Sequence, residues 1–180
     1  MSVEQAAENA RPLVRRELSG NDCKGVLSTL TGDVEKGKRA VLRIGGVAEP
    51  GEISATFFAD GCRYVLRSKR KGKLSYYERR KDDEVVAVDL YLAWRSLVAL
   101  RAAELLTLAA ELKQRTGFAP SLVAQGRFVT VARFALAADP AAFSETRFLD
   151  EPKSFLDSLK ARDYLSFADS GAICSSKIHR

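Results

Sequence analysis

The chain has 180 residues, with 29 Lys and Arg against 23 Asp and Glu, a formal net charge of +6. Its 46% apolar and 29% charged content is that of a folded chain and is too apolar for a disordered one. The length suits a single domain over 1–180. The longest run free of Asp, Glu, Lys and Arg is Thr116 to Gly126. That is short of the roughly 20 apolar residues a spanning helix needs, so no membrane association is expected.

The N-terminus carries Glu4, Glu8, Arg11, Arg15, Arg16 and Glu17 and has no apolar run of a signal peptide. A cytoplasmic location is therefore expected, with Cys23, Cys62 and Cys174 as free thiols. Their spacings match no zinc pattern, and the only histidine, His179, is penultimate. Histidine-centred metal sites and histidine-activated nucleophiles are thereby disfavoured, and no cofactor is expected.

In chain order, residues 1–37 read as a helical segment. Ser2 and Gln5 form a capping box for a short helix, and Pro12 breaks the pattern. A second helix is expected from Pro12 to Leu18, ended by Ser19-Gly20. Asn21-Asp22 would cap a third, closing at Thr31-Gly32.

Residues 38–116 read as a sheet plus a long helix. Arg39 to Ile44 is strand-like and is broken by Gly45-Gly46 and Pro50-Gly51. Strands are expected at Glu52–Ala59, Cys62–Lys69 and Lys73–Arg80, joined by an Asp60-Gly61 hairpin turn and an Arg70-Lys71-Gly72 loop. These turns pair Phe57 with Tyr64, Ala55 with Leu66, and Leu66 with Tyr76. Ile53, Ala55, Phe57, Tyr64, Leu66, Leu74 and Tyr76 would then share one face. A strand at Glu84–Val88 follows, and Asp89 would cap a helix from Leu90 to Thr116, stopped by Gly117. A competing reading starts this helix at Asp83 and takes Val85 to Val88 out of the sheet.

Spaced at about 100° per residue, that helix has one polar stripe. It contains Asp89, Ser96, Arg101, Glu104, Thr107, Glu111, Gln114 and Arg115. Glu111 is expected to pair with Arg115, and Arg101 with Glu104. The rest of the helix is apolar enough to contribute to a subunit interface in a homo-oligomer.

Residues 117–169 should hold a strand at Arg127–Leu136, a short helix opened by Asp139-Pro140 and a longer one opened by Glu151-Pro152. Residues 170–180 show no pattern and read as a tail or a late strand. The fold class so predicted is α+β. An antiparallel four- to five-stranded meander over about 39–88 packs on a helix over about 90–116, with further helices at both ends.

One feature carries a functional signal. Residues 61–81 hold Arg63, Arg67, Lys69, Arg70, Lys71, Lys73, Arg79, Arg80 and Lys81 against Glu78 alone. That segment is +8, which leaves −2 for the rest of the chain. Concentrated charge of this kind suits a phosphate backbone. Arg63, Arg67, Lys69, Lys73 and Arg79 would bind phosphates, Arg70 and Lys71 would reach from the loop, and Tyr77 would stack on a base.

The expected function is non-catalytic binding of DNA or RNA. The alternative is an interaction, adaptor or inhibitor protein whose hairpin docks an acidic protein partner. A third reading leaves the hairpin solvated, its charges suppressing edge aggregation, although edge protection needs only one or two lysines. A metal-dependent nuclease is a remote alternative. Glu111-Leu-Lys113 has an E-x-K spacing with Asp89 upstream, but positions two apart on a helix diverge.

Overall fold

The computed structural model describes residues 3–19, 27–57 and 96–151. Within them the elements are α1 (Val3–Ser19), β1 (Leu27–Thr31), β2 (Val41–Ile44), β3 (Glu52–Phe57), α2 (Leu97–Thr116), β4 (Ser121–Gln125), α3 (Phe128–Ala138) and β5 (Glu145–Leu149). The strands form one sheet in the order β1-β3-β2-β4-β5. Strands β3, β2, β4 and β5 run parallel, and only the edge strand β1 is antiparallel.

This overturns the antiparallel meander. β3 carries the predicted strand at 52–59, but β2 and β1 occupy its two edges, with Ala55 opposite both Ile44 and Leu30. No edge is left on which Leu66 could face Ala55. That rules out the predicted pairing of Ala55 with Leu66, while the Asp60-Gly61 turn and residues 62–69 themselves lie outside the described residues. The second predicted hairpin, 62–69 with 73–80, and the strand at 84–88 lie outside the described residues.

The two adjacent parallel strands β2 and β3 are joined only by residues 45–51, fewer than the dozen or so such a crossover usually needs. A short β2 makes this feasible: four residues advance about 13 Å, and seven can reach back over about 23 Å. Gly45, Gly46 and Gly51 all have positive φ in that return.

Packing explains the helices. α1 is a single helix rather than two, and it runs through Pro12. A mid-helix proline costs about 3 kcal/mol, but Pro12 is exposed, and Ala7, Ala10 and Val14 are buried along one stripe. Arg11 Nε donates to Ala137 O at the end of α3, where a cation complements the helix dipole. The expected helix over 21–30 is replaced, at residues 27–31, by strand β1.

α2 begins seven residues later than Leu90. Ser96 is extended (φ −117°, ψ 126°), and its hydroxyl accepts from Ala99 N–H at 2.9 Å, as an N-cap does. The far end is as expected: Gly117 is left-handed at φ 88°, and its N–H bonds Lys113 O at 2.8 Å.

The predicted strand at 127–136 is instead helix α3, and the strand of this region is β4. Both edges of β4 are taken, by β2 and by β5, so the apolar run 128–135 can bury itself only as a helix. Asp139 opens a turn rather than a helix. Its Oδ1 accepts from Ala141 N–H at 3.0 Å and its carbonyl from Ala142 N–H at 3.3 Å.

The register divides the sheet into two faces. Leu42, Ile44, Ile53, Ala55, Leu122 and Ala124 lie on one face and join the core with α1, α2 and α3. The other face carries Arg43, Glu52, Ser54, Ser121, Val123, Gln125, Glu145 and Arg147.

Candidate functional site

In open parallel sheets, ligands bind beyond the carboxyl ends of strands where the strand order reverses. Here the chain leaves β2 for β3 on one side and later places β4 on the other, so the reversal lies between β2 and β4. Their ends meet at Gly45-Gly46 and Gln125. A Cβ on Gly45 would stand 2.6 Å from the Gln125 carbonyl oxygen, and one on Gly46 would stand 2.0 Å from Gln125 Oε1. The glycines let the two strand ends close, and the Gln125 side chain fills the gap between them.

An ion-paired network extends from this point across the polar face. Arg43 is 4% exposed. Its Nε and Nη2 donate to the two carboxylate oxygens of Glu52, the second at 3.2 Å. Its Nη2 also lies 3.7 Å from Glu49 Oε1. Nη1 donates to Gln125 Oε1 at 3.5 Å, and Gln125 Nε2 donates to Asp150 Oδ2 at 2.6 Å. Glu49 N–H adds a bond to Glu52 Oε2 at 2.8 Å.

The Arg43 hydrogen bonds hold the Glu52 carboxyl below its ordinary range against the opposing effect of burial, and the Glu49 amide adds to the lowering. Glu52 in turn raises Arg43. Each member is engaged by the others. The arrangement clamps β2, β3 and β4 together, and Glu52, ionised and capped by a guanidinium, is unsuited to acid–base chemistry.

A second cluster lies on α2. Residues 97 to 106 are buried on every side of the helix, including Arg101 at 2% exposed and Glu104 at 1%. This corrects the expected polar stripe, which holds only further along, at Thr107, Glu111, Gln114 and Arg115. Burial pushes the Glu104 carboxyl up to about 8, with the charge of Arg101 pulling it the other way. Neither Glu104 oxygen has a hydrogen-bond partner among the described residues. Arg101 thus acts on Glu104 through its field and not through the expected surface pair. The apolar side of the helix, from Leu97 to Leu112, is spent on the core rather than offered to a second subunit.

The residues predicted to bind phosphate or base, Arg63, Arg67, Lys69, Arg70, Lys71, Lys73, Tyr77 and Arg79, lie outside the described residues. So do Asp89, the three cysteines and His179. The E-x-K pair is described and does not converge. Glu111 bonds Arg115 Nη2 one turn on, while Lys113 points to solvent. Among the described residues, no three His, Cys, Asp or Glu side chains group to hold a metal. None of the described helices is long and apolar enough to cross a membrane.

Sequence reasoning missed the Arg43 network and the burial of Glu104. A lone arginine inside the apolar run Val41-Leu42-Arg43-Ile44 was the available signal for the first. Comparison of the chain with protein-family models, curated proteins and solved structures finds no match.

Proposed function

We propose that the protein is a non-catalytic nucleic-acid-binding protein of the cytoplasm that engages the phosphate backbone through residues 61–81. The supporting observation is the partition of charge: +8 in that segment against −2 in the remainder. Such localisation raises a potential where spread charge would not. Arg63, Arg67, Lys69, Lys73 and Arg79 take the phosphates, Arg70 and Lys71 extend the contact, and Tyr77 stacks.

Binding to single-stranded DNA, duplex DNA and RNA is to be measured by gel shift over a salt series. Neutralising five phosphates gives a slope of log K against log salt of about −4 to −5. The triple variant Arg67→Ala, Lys69→Ala, Lys73→Ala should weaken binding and flatten that slope. A flat salt response in the wild type, or undiminished binding in the variant, defeats the reading. A pull-down partner that survives nuclease treatment would instead favour docking to an acidic protein.

A further inference from the structure

β5 is the last strand of the sheet, and its β4 side alone is paired among the described residues. Ser121 N–H bonds Ala40 O on the β2 side, so the backbone groups of Leu122 and Ala124 face β5. With Leu122 opposite Thr146 and Ala124 opposite Phe148, the parallel pattern turns Glu145, Arg147 and Leu149 toward β4. The bond from Gly126 N–H to Leu149 O, 2.9 Å, agrees. The backbone groups of Thr146 and Phe148 then point outward, and Glu145, Thr146 and Arg147 are exposed.

An open edge is usually blocked by charge. This one is blocked against most strands but not against itself. Its two charges are opposite in sign and stand two residues apart, on either side of Thr146. Among the described residues the side chains of Glu145 and Arg147 form no hydrogen bond or salt bridge, although the charge of Arg147 also acts on Glu52 across the same face.

We propose that a second copy of this chain adds its β5 to this edge, antiparallel about a two-fold axis through Thr146. In that register Thr146 of each copy exchanges backbone hydrogen bonds with Thr146 of the other. Glu145 of each copy faces Arg147 of the other in a non-hydrogen-bonded position, where side chains approach most closely. Centring the pair on Arg147 or on Glu145 instead would oppose like charges at the axis, so charge selects one register. The inference stands independently of the nucleic-acid reading.

The test is sedimentation of the full chain without nucleic acid, at low salt and high protein concentration. The wild type should dimerise. Glu145→Arg and Arg147→Glu should each weaken the dimer about tenfold or more, since each sets like charges face to face in both pairs. The double variant Glu145→Arg, Arg147→Glu exchanges the charges and should restore dimerisation. Both substitutions are at exposed positions, and unchanged thermal unfolding would confirm that all three variants fold. A wild type that stays monomeric overturns the proposal. So does a dimer indifferent to the single reversals, or a double variant no better than the singles.

Discussion

Arg43 and Glu52 are bound to each other through both carboxylate oxygens, although in the strand register Arg43 lies beside Ser54 and Glu52 beside Val41. The arginine reaches back along the sheet to meet the first residue of β3. The contact fastens the start of β3 to the middle of β2, across the short glycine-rich return.

Replacing Arg43 with Ala should therefore destabilise the fold by about 3 kcal/mol, because the largely buried Glu52 keeps its charge without the guanidinium that caps it. Glu52→Gln should cost less, since Glu49 remains beside the guanidinium. The Glu52 carboxyl is held below its unfolded value, so its contribution is present above about pH 4.3 and is lost as pH falls through the folded pKa. Urea unfolding from pH 7 down to pH 3 reads both effects. An Arg43→Ala midpoint equal to the wild type would refute the role of the clamp.

Glu104 has the opposite sign. Its folded pKa is about 8, against about 4.3 for an unfolded glutamate. Between these values the folded state holds a proton that the unfolded state has released. Stability then falls as pH rises, by about 1.4 kcal/mol per unit. Glu104→Gln removes this dependence and should be more stable than the wild type at pH 8, by about 5 kcal/mol at most. At pH 4 the two should nearly coincide. Parallel stability curves for the two proteins would show that Glu104 is not a buried acid.

Gly45 should tolerate no side chain. Alanine there must take a left-handed φ of 77° and place its Cβ 2.6 Å from a backbone oxygen of β4. Gly37 is an internal control, with φ 82° and nothing within 4 Å of its added Cβ. Gly37→Ala should cost only the backbone strain, about 1–2 kcal/mol, and Gly45→Ala clearly more. Equal midpoints in chemical unfolding would mean that the β2 and β4 ends do not meet as described.

Local signals were legible where the chain makes its own contacts. Strand β2, the break at Gly45-Gly46, the left-handed stop at Gly117 and the Glu111–Arg115 pair all follow from neighbours within a few residues. β4 and β5 are announced by no turn, because their partners are parallel strands distant in sequence. The β-branched run Val129-Thr130-Val131 suggests a strand by propensity, yet it is helical, since β2 and β5 had already filled the places beside β4. Pro12 shows the same precedence of packing over local preference.

By itself the sequence determined a net charge that is almost wholly one segment, 61–81, and a composition able to bury a core. Both are properties of residue identity and spacing. Only the tertiary structure decided that the sheet is mainly parallel, that Arg43 sits in its middle held by Glu52, and that Glu104 is interior. Polar stripes and hairpin turns report what a segment would do alone. Which edge of a strand is free, and which side of a helix meets water, depends on the segments already packed against it.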